Sequence, residues 1–168
     1  MKNLFIDKWW GSYIGGCDDS LRLLDYFGTS PSNKWSLKQI FKDIHLDSAF
    51  KLGEIENANL YFELEPEREA NFQMAIDVII DLSAIVLECL HNKQVAIRDL
   101  DESSEYEKNI TISTTKDILL LKNSLNEFIK NPQSSELAVM VSDNELAEIV
   151  HDCKEVHDEL SEFIIKCF

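Results

Sequence analysis

Three acids, Asp77, Asp81 and Glu88, interrupt the most apolar stretch of the chain, residues 74–90. At about 100° per residue on a helix they fall within roughly 40° of one another and form one polar stripe. Two carboxylates at i, i+4 can share a divalent ion or act as an acid–base pair. The plainer reading is a solvent strip on a core helix. A Glu/His set at matching spacing is missing elsewhere, so a dinuclear centre lacks its second half. His151, Cys153 and His157 invite a zinc reading, but Cys153 and His157 share the apolar face of their helix, His151 points elsewhere, and no CxxC or HxH accompanies them. His157 reads better as a core histidine. The loop Gly11–Gly16 precedes a helix as a phosphate cradle would, yet it lacks the P-loop spacing and its Lys-Ser/Thr, and Asp18-Asp19 would repel phosphate. No Ser or Cys stands in a nucleophile-elbow context. The chain points to binding, and no cofactor or metal is expected.

The candidates for binding are acidic. Asp99, Asp101, Glu102, Glu105 and Glu107 place five carboxylates within nine residues, with Tyr106 among them and no basic side chain. Such a tyrosine offers apolar area and a hydroxyl at low entropic cost, as interface anchors do. The last helix carries Asp143, Glu145, Glu148, Asp152, Glu155, Asp158, Glu159 and Glu162 against Lys154 and Lys166. Glu148, Asp152 and Glu155 are taken from it as a second part of a docking surface. The alternatives are a solvated loop and a solvated helix face. Trp9 and Trp10, being adjacent, point to different faces in any regular structure; the plainer reading places both in the core, and the functional one leaves one of them exposed as an interface anchor.

Hydrophobic periodicity supplies the elements that hold these groups. Asp18, Asp19 and Ser20 can each cap a helix on Leu21, Leu23, Leu24 and Phe27 that Gly28 stops. Ser36 has capping-box spacing ahead of Leu37, Ile40, Phe41 and Ile44. Leu60, Phe62 and Leu64 alternate with polar neighbours in a strand ending at Pro66, with a short partner near Phe72. Residues 74–90 form a central buried helix. Val95/Ile97 and Ile110/Ile112 alternate again, and if the two runs pair, the acidic stretch is the tip of their connection. A helix follows from Thr114–Asp117 to about Lys130, residues 131–135 break it, and Ser142 starts a final helix running nearly to the end. His45 and His91 stand at predicted helix ends, where a cation suits the macrodipole. The expected fold is a helix-rich α+β single domain over residues 1–168 with a small, mostly antiparallel sheet.

Bulk properties narrow the class. A chain of 168 residues buries roughly 70% of the surface its unfolded form exposes. Residues 1–50 carry six basic and six acidic side chains, residues 51–168 ten and twenty-five, so the whole formal charge of −15 lies in the second part. Nine of sixteen aromatics, including all three Trp, lie in the first part. This charge opposes nucleic acid and anionic membranes, and it suits a basic partner or simple solubility. Cys17, Cys89, Cys153 and Cys167 form no framework, which fits a reducing compartment. Residues 1–6 meet Asp7 and Lys8 too soon for a signal h-region, and the acids within 74–90 argue against a membrane span. The expected setting is the cytoplasm.

In size, acidity and lack of catalytic residues the chain resembles bacterial immunity proteins of polymorphic-toxin and contact-dependent-inhibition systems. The segments Trp9-Trp10-Gly11-Ser12-Tyr13-Ile14-Gly15-Gly16-Cys17-Asp18-Asp19-Ser20 and Leu37–Ile44 carry the resemblance. It implies an antitoxin whose partner is a cognate toxin domain blocked stoichiometrically. A nuclease fits the charge, since its cleft must be basic to hold polyphosphate. Two other classes stay open: a small metal enzyme built on Asp77, Asp81 and Glu88, and an acidic adaptor for a basic host protein.

Overall fold

The computed structural model describes residues 2–53, 55–65 and 67–168, with the backbone alone at Glu65. Its centre is α5 (Ala75–Asn92), buried without interruption from Ala75 to Cys89. Apart from the Asp77, Asp81 and Glu88 stripe the helix presents Ile, Val, Leu and Ala, so other elements must wrap it. These are α1 (Phe5–Trp9), α2 (Asp18–Thr29), α7 (Ile118–Lys130), α9 (Asp143–Cys167) and β5 (Asn109–Ser113). One continuous apolar core takes side chains from Phe5 through Leu160. The fold is helix-rich α+β, as the periodicity predicts.

Strand β2 (Tyr61–Glu65) pairs antiparallel with β3 (Arg68–Asn71), with Phe62 opposite Ala70. Pro66, the expected stop of β2, lies outside the described residues. β4 (Val95–Ala96) pairs antiparallel with β5 through Val95 and Ile110. The acidic stretch therefore is the connection between these two strands, entered through the single turn α6 (Ile97–Leu100). A third strand, β1 (Lys34–Ser36), joins β5 in parallel and turns Trp35 into the core. Lys34-Trp35-Ser36 reads as the approach to a helix, and three residues are too few for alternation to mark a strand.

The expected caps of the later helices are present. Ser36 Oγ accepts from the Gln39 N–H (3.0 Å) at the start of α3 (Leu37–Asp43), and Ser142 Oγ accepts from Glu145 (3.2 Å) at the start of α9. Two expectations for α2 are corrected. Its N-cap is Cys17, whose N–H donates to Ser20 Oγ (3.3 Å), which frees Asp19 for another task. Gly28 does not stop the helix but lies in its last turn, where a Cβ would collide with the ring of Tyr106. The glycine there is needed for close approach between α2 and the acidic loop.

The remaining elements are short. α4 (Leu46–Leu52) follows α3 across His45, whose left-handed backbone (φ 68°) turns the chain and whose ring stacks on Tyr61 at 3.9 Å. A 3-10 turn (Pro132–Ser134) and α8 (Leu137–Met140) link α7 to α9. All four cysteines are free. Cys89 and Cys153 are packed as small hydrophobes, and burial pushes the Cys89 thiol up to about 12. No described helix is long and apolar enough to cross a membrane.

Candidate functional site

The carboxylate stripe on α5 is not a solvent strip. Asp77, Asp81 and Glu88 are all buried, and each receives donors from the N-terminal twenty residues. Glu88 Oε1 accepts the N–H groups of Phe5 and Ile6, both at 3.0 Å, while its Oε2 accepts Asn92 Nδ2 at 2.8 Å. Those N–H groups open α1 and have no partner within it, so Glu88 caps that helix from across the core. Asp81 accepts the Gly15 N–H at 2.9 Å and the Ser20 hydroxyl. Asp77 accepts the Tyr13 hydroxyl at 2.6 Å.

The exchange is reciprocal. Asp19, buried in the first turn of α2, accepts the N–H groups of Gln73 (2.8 Å) and Met74 (3.0 Å) just ahead of α5. The loop Gly11–Gly16 is thus cradled by carboxylates and donates its own hydroxyl and N–H to them. Gly15 sits at φ 76°, where a Cβ would run into the Trp10 indole. Burial pushes Asp81 up to about 7, against the pull of the Ser20 and Gly15 donors. Burial does the same to Asp77, which also reaches about 7; the Tyr13 hydroxyl opposes this and neighbouring Asp19 adds to it. These groups hold the fold together: both oxygens of Asp19, Asp81 and Glu88 and one of Asp77 accept donors from the chain itself.

The acidic connection is ordered by its own contacts. Asp99 is exposed and accepts Asn3 Nδ2 (3.0 Å). Asp101 Oδ1 accepts the Ser103 N–H (3.1 Å) and hydroxyl (2.7 Å), closing a turn. Glu107 pairs with Arg98 at 3.0 Å. Tyr106 is half-buried, its ring over Gly28 and its hydroxyl donating to Asp25 (3.2 Å). Burial, then Asp25, pushes its phenol up. The ammonium of Lys108 donates to the carbonyls of Phe27 (3.0 Å) and Ser30 and lies 5.6 Å from the Trp35 ring centre. Glu102 and Glu105 stay exposed, with no side-chain hydrogen bond or ion pair among the described residues.

On α9, Glu148 is exposed, whereas Asp152 and Glu155 are half-buried. Glu155 pairs with Lys8 at 2.9 Å and faces His151 at 3.6 Å. The hydrogen bond from Lys8 holds the Glu155 carboxyl below its ordinary value. Burial, then Glu155, pushes Asp152 up. The ligand atoms of His151, Asp152 and Glu155 lie within 4.8 Å of one another. This trio escapes a sequence reading that pairs the histidines with Cys153, which is buried. His157 is part-buried beside Asp158 (3.1 Å).

The two acidic segments are bridged by the stretch of residues 3–10, which contains α1. Asn3 reaches Asp99, and Trp10 Nε1 donates to the Leu100 carbonyl at 2.9 Å. From the same short segment Lys8 reaches Glu155, and the Phe5 ring meets Phe163 at 6.4 Å. Trp9 is buried and Trp10 half-buried, so the adjacent indoles do divide between core and edge. Sequence reasoning missed Asn3, Lys8 and Asp19 as the connecting groups, because nothing local marks a residue whose partner lies more than fifty positions away.

A family model described as Immunity protein 68 matches residues 5–160. The chain belongs to that family. No curated protein and no solved structure matches it. The matched span contains the three stripe carboxylates, their donors, the acidic connection and Glu148, Asp152 and Glu155 of α9.

Proposed function

We propose that this chain is a cytoplasmic, non-enzymatic antitoxin that binds a cognate toxin domain with a basic, nuclease-type cleft and blocks it stoichiometrically. The docking surface comprises Asp99, Asp101, Glu102, Glu105, Tyr106 and Glu107 with Glu148, Asp152 and Glu155. Membership of an immunity family supplies the toxin as partner. The observation that carries the choice of surface is that the N-terminal segment around α1 touches both acidic segments, Asn3 just before the helix at Asp99 and Lys8 within it at Glu155. Residues remote in sequence therefore flank one short helix, and Glu102, Glu105 and Glu148 on them are exposed.

A formal charge of −15 steers a basic partner over long range, and association of such pairs reaches ~10⁸ M⁻¹s⁻¹ at low salt. Fast capture matters because one free toxin molecule acts many times. Tyr106 and Lys108 fix the backbone of the loop, so little ordering entropy is lost on docking. Arg98 and Lys8 already sit among these acids, and a toxin cation would take over their partners.

The test has two stages. The C-terminal part of the reading frame immediately upstream is expressed in a heterologous bacterium with and without this chain, and viable cells are counted. Growth arrest relieved by this chain is the expected result, and toxicity that it fails to relieve removes the reading. The purified pair is then mixed by stopped flow across a salt series. Glu102→Lys with Glu105→Lys is expected to slow association about tenfold or more at low salt and to flatten its salt dependence. Unchanged rates would take the loop out of the interface.

A further inference from the structure

Away from these acids, α4 and α7 enclose a cleft of about 630 Å³. Its floor is apolar, formed by Phe50, Ile76 and Phe128. The wall along α7 is Leu120, Asn123, Ser124 and Glu127, a helical i, i+3, i+4, i+7 set that faces away from the core residues Leu121 and Leu125. Glu56 stands opposite and accepts the Glu136 N–H at 3.1 Å. That bond joins the cleft to a second hollow bordered by Met74, Val139 and Met140.

Val139 is 87% exposed, Met140 69% and Leu120, on the α7 wall, 38%. They are three of the eight large hydrophobics exposed on the described surface. Clustered exposure of this kind costs solvation and marks contact surfaces. Methionine in particular suits an irregular apolar partner. Among the described residues the cleft is lined by the carboxylates of Glu56 and Glu127, Glu136 borders the adjoining hollow, and Lys130 lies 4.0 Å from Glu127.

An apolar floor beneath carboxylates matches one kind of side chain, a cation on a hydrocarbon stem. From Leu120 to Asn131 the α7 wall runs about 16 Å at 1.5 Å per residue, room for roughly five extended residues. We infer that the α4–α7 cleft seats a second docking element of the toxin, a short segment with Lys or Arg inserted between Glu56 and Glu127 and apolar neighbours resting on Val139 and Met140. The inference rests on the toxin-binding reading but not on the acidic surface around α1. Two separate contacts on one partner lengthen residence even when each is weak.

The experiment uses the full chain and the purified toxin domain identified by the rescue test, with affinity read by calorimetry. Two single variants, Glu127→Lys and Val139→Asp, change exposed groups outside the core, and melting temperatures check that both fold. Each is expected to weaken binding about 10- to 100-fold, mainly through faster dissociation. Asn123→Arg, which fills the cleft with a cation of its own, is expected to do the same. Three variants that bind within twofold of a tightly binding parent overturn the cleft and leave the toxin reading intact. A parent that neither binds nor rescues overturns both. Sedimentation showing a dimer of the parent that Val139→Asp dissociates assigns the cleft to a second copy and likewise overturns the inference.

Discussion

The carboxylates on α5 and those on the β4–β5 connection are the same functional group in opposite circumstances. Asp77, Asp81 and Glu88 are buried among donors delivered by a segment more than sixty residues away. Glu102 and Glu105 face water and hold nothing. The first set has given up solvation, so every unmet oxygen there would be costly. The second keeps its hydration and projects its field outward, where a cationic partner can use it. An acid inside an apolar run is thus a structural joint when the chain brings it donors. An acid among polar neighbours is left available for recognition.

The largest effect separating the two sets is expected at Glu88. Replacing it by Ala leaves the buried N–H groups of Phe5 and Ile6 without an acceptor and removes the cap of α1. A loss of about 3 kcal/mol or more in unfolding free energy is expected from urea titration. Glu88→Gln keeps one acceptor oxygen and is expected to cost about 1 kcal/mol. Glu102→Ala is expected to change stability by no more than about 0.5 kcal/mol. A Glu88→Ala variant as stable as Glu102→Ala would erase the contrast.

A smaller but more diagnostic effect concerns pH. Asp77 and Asp81 keep their protons in the folded chain up to about 7, whereas in the unfolded chain they lose them near the ordinary aspartate value. Between those limits the native state binds more protons, so stability falls as pH rises and is greatest on the acid side of the window. The slope is on the order of 1 kcal/mol per pH unit for each carboxyl still protonated. Melting temperature is therefore expected to rise by a few degrees per unit as pH is lowered from 7.5 towards 5. Asp81→Asn, which holds no titrating proton, is expected to flatten the curve while Glu102→Gln leaves it in place. A profile that Asp81→Asn does not alter would show that Asp81 is ionised throughout.

What could be read in advance follows from the range of the interactions. The periods of α5, α7 and α9, the β2–β3 pair and the position of the acidic stretch at the tip of β4–β5 are local patterns, and they are where periodicity puts them. Three residues of β1 lie in parallel beside a strand that begins about seventy positions later, which no window detects. The three acids on α5 were legible as a stripe but not as buried, because their solvation is supplied by Tyr13, Gly15, Ser20 and the start of α1. Asp19 looked like a cap for its own helix and instead caps the approach to α5. The α4–α7 cleft had no signal at all, since its floor and walls come from four separate elements whose polar faces look like ordinary surface.

The smallest expected effect tests whether the exposed acids respond to local charge alone. Lys8 is the single described Lys or Arg in ion-pair contact with the α9 acids, at 2.9 Å from Glu155. Surface pairs of this kind contribute about 1 kcal/mol or less, so Lys8→Met is expected to shift unfolding free energy by less than that. The carboxyl of Glu155 should move up, because the hydrogen bond from Lys8 is the main influence holding it down. A carbon-detected titration of the glutamate side chains measures this directly. The same substitution makes the face around α1 more negative by one charge, so association with a basic partner should become faster and more sensitive to salt. If Lys8→Met instead slowed association without altering stability, Lys8 would itself contact the partner. The acidic face would then be a mixed-charge interface, and its difference from the α5 joints would rest on exposure rather than on sign.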